Sequence, residues 1–139
     1  ELMTPTETAN YILSQDFFSQ WMGVKFIEIR ENYCLIKMPI RKEMINGLKT
    51  VHGGVTFSFA ESALAFSSNN TGNAAVALNC MINFTKAVKM GDTLIAESIL
   101  MADTRKTAVY DIAITNQHKT MVASFRGTVY KLDKKVVDL

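Results

Sequence analysis

One stretch limits the folds open to this chain more than any other. "VTFSFAESALAF", residues 55 to 66, is apolar or small on nearly every side of a helical wheel. A helix drawn from Gly54 to about Asn70 is roughly 25 Å long at 1.5 Å per residue. A helix apolar all round has to be buried on most of its faces, so the rest of the chain must wrap it. The same stretch carries a single carboxylate, Glu61, nine residues after His52. Taking an unpaired carboxylate out of water costs on the order of several kcal/mol, so Glu61 calls for a wet cleft, a partner or a chemical task.

The segments around this helix read as strands. "VKFIEIR" and "YCLIKMPI" flank the break Glu31-Asn32 and form a predicted hairpin. After the helix come four strand-like stretches, about 75 to 86, 92 to 103, 106 to 116 and 120 to 131. They are separated by the turn-prone joints "KMGD", "DTRK" and "NQHK". "VYDIAIT" and "ASFRGTVYK" alternate with a period of two, as strands with one packed face do. Ahead of the hairpin, Thr4-Pro5-Thr6-Glu7 has the form of a helix start and predicts a short helix to about Ser14. "DFFSQWMG" predicts a second helical turn whose Phe17, Phe18 and Trp21 cover part of the core, ending at Gly23. The expected fold is α+β, an antiparallel curved sheet of about six strands around one central helix, with residues 1–23 as a helical preface. No linker or repeat divides residues 1–139, so a single domain is expected.

Composition narrows the function. The chain has 139 residues, enough to bury roughly 68–70% of its unfolded surface. It is 48% hydrophobic and 20% charged, toward the apolar side of ordinary globular proteins. That balance leaves apolar surface for self-association. A formal charge of +2 with scattered basic residues argues against nucleic-acid binding. No apolar run is long enough to span a membrane and no signal pattern opens the chain, which places it in the cytoplasm. Cys34 and Cys80 lack metal-site spacing and read as free thiols in a reducing compartment. No metal and no cofactor are expected.

The polar residues that stand out gather at the mouth of the central helix. The first N–H groups of a helix lack internal partners and sit at the positive end of its dipole, and glycine lets a ligand approach them closely. "HGG", residues 52 to 54, therefore has the make-up of an oxyanion hole. Taken singly, Asn46 is a turn residue, His52 a structural histidine, and Glu61 a member of a solvent stripe beside Phe57, Ser58, Ala65 and Ser68. Together, N-G-x(4)-H-G-G-x(6)-E sets an amide, an imidazole, two backbone donors and an acid about one helix N-terminus.

This pattern resembles the hotdog-fold acyl-coenzyme A thioesterases, in particular the phenylacetic-acid-degradation branch. "FSFAESALAFSSN" is similar to that branch's central helix, "NFTKAVKMGDTL" to its next strand and turn, and "TAVYDIAITNQHKTMVASFRGTVY" to its last two strands. The resemblance spans roughly residues 15 to 131. It implies hydrolysis of an aryl- or medium-chain acyl-coenzyme A, in a homodimer that assembles to a homotetramer with its sites at the dimer interface. It further implies that Gly53 polarises the thioester carbonyl and that Glu61 of the other subunit activates water or attacks directly, with Asn46 and His52 orienting the reacting groups. Gly54 is implied to bind substrate, and Lys86, Lys89, Arg105 and Lys106 to meet the coenzyme A phosphates; Asn79 is the candidate to take the place, on the substrate side, of a hydroxyl that relatives carry on the strand after the helix. The chain departs from the branch in having Glu61 where aspartate is more frequent, Ala87 where proline is frequent, and no hydroxyl near Ala77. On the same fold, the alternative is a non-catalytic acyl-coenzyme A binding or sensing module.

Overall fold

The computed structural model describes residues 2–139. Helix α1 spans Pro5–Gln15 and starts on a capping box: Thr4 accepts the N–H of Glu7, and Glu7 accepts the N–H of Thr4 at 2.8 Å. Helix α2, Phe17–Met22, is capped by Asp16 and ends at Gly23, whose φ of 78° is the left-handed turn that glycine adopts without strain. Strands β1 (Lys25–Arg30) and β2 (Tyr33–Pro39) form the predicted hairpin, and helix α3 runs Gly53–Ser68. Four strands follow, β3 (Asn73–Phe84), β4 (Thr93–Asp103), β5 (Thr107–Thr115) and β6 (Met121–Lys135).

All strand pairs are antiparallel, and the six-stranded sheet has the order β1-β2-β4-β5-β6-β3. β1 and β3 are its edges. Helix α3 packs against β2 through β6, so the sheet curls about it as the all-apolar helix requires. Phe59, Ala60, Ala63, Leu64 and Phe66 are fully buried against Ile36, Leu94, Ile112 and Phe125. At Gly127 the helix and sheet approach so closely that a Cβ would stand 2.6 Å from Leu64 Cδ2. Two asparagines fasten the far end of α3. Asn69 accepts the N–H of Ala75 at 2.8 Å, and buried Asn70 donates to the carbonyls of Arg30 and Tyr33.

Three expectations need correction. β6 continues four residues past 131, because Asn73 still pairs with Lys135; the charges of "LDKK" hide the alternation there. α3 begins at Gly53, with His52 as its cap. The aromatics of α2 do not cover the core: Phe17 is 74% exposed, and Phe18 and Trp21 are also exposed. The i, i+3 pair Ser19 and Met22 takes the inward face instead. Trp21 stacks on Phe18 with centroids 6.0 Å apart and lies under the Arg41 guanidinium at 4.4 Å.

Candidate active site

The loop ahead of α3 is shaped by Asn46. Its Oδ1 accepts the N–H of Leu48 at 2.8 Å and of Thr50 at 3.3 Å, while its Nδ2 donates to the Val51 carbonyl at 3.4 Å. Val51 N–H reaches the Val88 carbonyl and His52 N–H the Met44 carbonyl, both at 2.8 Å. Asn46 thus organises the loop that presents His-Gly-Gly, and its side-chain groups bond within that loop.

His52 caps the helix with its ring: Nδ1 accepts the N–H of Gly54 at 2.8 Å. That bond makes Nδ1 the unprotonated nitrogen and leaves Nε2 to carry the proton. A Cβ on residue 54 would lie 2.9 Å from Nδ1, so the second glycine is needed for the imidazole to reach its place. The N–H of Gly53 has no hydrogen bond among the described residues. It is the free donor at the positive end of α3, beside a cleft of about 340 Å³ lined by Thr50, Gly53, Thr56, Phe84, Lys86 and Val122. The Phe84 ring stands over Gly53, with Cζ 3.2 Å from where a Cβ would be.

Glu61 lies on the half-exposed stripe of α3 with Ser58 and Ala65; Ser68, expected on that stripe, is buried. Phe57 is half-buried as well, its ring edge-on against Phe125 at 5.5 Å. Burial pushes the Glu61 carboxyl above the ordinary carboxylate range, and the nearby Asp16 charge pushes it further. Glu61 opens onto a cavity of about 250 Å³ lined by Leu64, Ala65, Ser68, Ala75, Val76, Ala77 and Val129. This is a different cavity from the one at Gly53. Eight residues of helix separate the two groups, roughly 12 Å at 1.5 Å per residue.

The remaining site candidates divide by position. On β3 a bulge at Leu78 resets the alternation, so that Cys80 pairs with Gly127 and turns inward near Glu61, whereas Asn79 pairs with Thr128 on the outer face. One chain does not bring Asn79 to Glu61. Lys86 lines the Gly53 cleft, and Lys89 stands at the turn that follows, where its N–H bonds Asp92. Arg105 and Lys106 are at the other end of the sheet, Arg105 along a crevice of about 570 Å³ with Asn73, Lys134 and Lys135, and Lys106 with its Nζ 5.9 Å from the centroid of the Tyr130 ring. Reasoning from sequence missed Asp16 and Phe84. Asp16 has the cap-forming residue type that signals a helix start, but its proximity to Glu61 comes from tertiary packing alone.

The Thioesterase superfamily model matches residues 48–123, more than half of the chain. This chain belongs to that superfamily. Among its relatives, the acyl-coenzyme A thioesterase PaaI of Escherichia coli is 35% identical over 126 residues, covering 91% of this chain and 90% of that protein. The structure of the E. coli PaaI protein from the phenylacetic acid degradation operon superposes with a TM-score of 0.92 at 34% identity, covering 94% of this chain and 95% of that one. A Streptococcus mutans protein, smu.793, solved with acetyl CoA bound, superposes with a TM-score of 0.77 at 29% identity over 80% of this chain and 90% of that one. The hotdog fold and membership of the family are as the motif implied. The matched segment holds Gly53, Gly54 and Glu61 and the whole of strands β3, β4 and β5.

Proposed function

We propose that this chain hydrolyses acyl-coenzyme A thioesters, with an aryl or medium-chain acyl group, in a site assembled between two copies. The observation that carries the reading is the pairing of functions on α3: an N–H at Gly53 without a hydrogen bond among the described residues, and a half-buried carboxylate at Glu61 that burial and a second acid, Asp16, raise above the ordinary range. Thioester hydrolysis needs both. A donor must meet the carbonyl oxygen as it gains negative charge, and a base must take a proton from the attacking water. The water oxygen bonds to the carbonyl carbon and Glu61 holds its proton. The carbon–sulfur bond then breaks, and the thiolate leaves and takes up a proton.

A reacting carbon must lie about 3–3.5 Å from its attacker, so a donor and a base roughly 12 Å apart on one helix cannot serve the same carbon. Two chains resolve this, Gly53 acting with Glu61 of the partner subunit. Support comes from β3, an edge strand that exposes Val76, Leu78, Met81 and Phe84 beside both groups. Antiparallel pairing of two β3 edges also reverses one sheet against the other. That carries Arg105 and Lys106 of the partner subunit toward the end that holds Lys86 and Lys89, where they can meet the phosphates of coenzyme A. Two such dimers joining gives the tetramer that the family pattern implies.

The test is thiol release from a panel of aryl and straight-chain acyl-coenzyme A esters by the native chain and by Glu61→Gln. Turnover that needs Glu61 supports the reading. Tight binding with no turnover by the native chain would make it a binding module instead.

A further inference from the structure

Glu61 does not face its cleft alone. The joint between α1 and α2 brings Asp16 within electrostatic reach of it. Asp16 is held by two bonds: Oδ1 accepts the Ser19 N–H at 2.9 Å and Oδ2 accepts the Ser19 hydroxyl at 2.5 Å. The Ser19 hydroxyl also lies 2.8 Å from that of Ser62, the residue after Glu61 on α3. Ser19 is fully buried and Ser62 nearly so, and buried hydroxyls hold partners that they could exchange for water only by unpacking. A continuous chain of contacts therefore runs Asp16–Ser19–Ser62 to the turn of α3 from which Glu61 projects. A cap needs only a side-chain oxygen, and Asn or Ser would supply one without charge. A second carboxylate beside a desolvated one opposes ionisation of the first, which a residue serving only the fold would not need to do.

We infer that Asp16 is a positioning residue for Glu61: through Ser19 and Ser62 it fixes the Glu61 turn, and its negative charge sets the field in which Glu61 works. This rests on the reading of Glu61 as the group that must be ionised for turnover. From the elements packed on α3, the titratable groups near Glu61 are Asp16 at the start of α2 and the Cys80 thiol on β3. The Cys34 thiol on β2 points instead to the Ala63 carbonyl, and Tyr110 on β5 bonds Asn32. Among the described residues no cation forms an ion pair with Glu61. With like charge beside it, Glu61 takes up its proton at higher pH than a lone half-buried acid would.

The experiment is the pH profile of kcat and kcat/KM on one acyl-coenzyme A ester for the native chain, Asp16→Asn, Asp16→Ser and Glu61→Gln, with thermal melts beside it. Both Asp16 variants keep a capping oxygen, so their melting points are expected near that of the native chain. Removing the charge lets Glu61 ionise more readily, so the acid limb should move to lower pH. Below the native inflection the variants then keep a larger fraction of their plateau rate. Folded variants with an unmoved acid limb would overturn the inference while leaving the proposed reaction standing, provided Glu61→Gln is inert. An active Glu61→Gln would end both. Failure of both Asp16 variants to fold would assign Asp16 to the fold and end the inference alone.

Discussion

His52 and Gly54 are fitted to each other: the imidazole Nδ1 accepts the Gly54 N–H at 2.8 Å, and a Cβ at position 54 would lie 2.9 Å from that nitrogen. The pair couples the shape of the helix mouth to its chemistry. It also occupies the Gly54 donor, while the Gly53 N–H has no hydrogen bond among the described residues.

Gly54→Ala should break the cap. Losing an N-cap bond costs about 1 kcal/mol, and the lowered midpoint should appear in urea denaturation. His52→Asn separates the two roles, because asparagine is itself a good cap. Its stability should stay within about 0.5 kcal/mol of native, while kcat/KM falls on the order of tenfold to a hundredfold from misplacement at the mouth. Full activity in His52→Asn would reduce the histidine to a cap.

Glu61 sets function against stability. Its folded carboxyl is raised above the unfolded value by burial and by Asp16. For a raised acid, the folded state is favoured in full below the unfolded value, and that stability is lost as pH rises through the folded one. At neutral pH the ionised carboxylate is therefore a destabilising element. Glu61→Gln should melt at or above the native temperature at pH 7, with the difference shrinking toward pH 4, while kcat falls on the order of 10²–10⁴. A lower melting point at pH 7 would mean that Glu61 holds the fold together.

The sequence carried the fold well for a physical reason. An all-apolar helix admits few architectures, and polar joints such as "KMGD" and "NQHK" mark strand ends directly, so β3 to β5 begin and end within about two residues of expectation. The end of β6 was obscured because Asp133, Lys134 and Lys135 break the apolar alternation, although Lys135 still pairs with Asn73 through the backbone. The aromatics of α2 misled because apolar residues usually face inward, whereas here Met22 and Ser19 reach the core, Ser19 bonding Ser62 there. At the candidate site, the placing of His52, Gly53 and Glu61 along one helix was legible from spacing. The face on which Asn79 lies was not, because it depends on the bulge at Leu78, and Asp16 becomes a neighbour of Glu61 only once α2 docks on α3.

Gly127→Ala tests the close approach of α3 to the sheet. The added methyl would meet Leu64 Cδ2 at 2.6 Å and Phe125 Cε1 at 3.0 Å, inside a packed core. Overpacking of this kind costs about 1–3 kcal/mol. Since Gly127 lies opposite Cys80, the shift should also displace β3 beneath Glu61. The expected result is a lower melting temperature together with reduced kcat, measured well below the melt.

The edge strand β3 provides the sharpest test of a shared site. Leu78 is 62% exposed at the bulge, on a strand whose outer edge is unpaired within one chain, and Val76, Met81 and Phe84 extend the apolar surface along it. A lysine on an edge strand opposes pairing with another strand by placing a charge where a partner would bury it. Because Leu78 is exposed in the single chain, Leu78→Lys should leave the circular dichroism spectrum unchanged. Light scattering at micromolar concentration should show the native chain as a dimer or larger and the variant as a monomer. If Gly53 and Glu61 of different chains make one site, hydrolysis should fall with the dimer and recover as variant concentration is raised. A monomeric Leu78→Lys with native turnover per chain would confine the whole site to one subunit and overturn the two-chain arrangement.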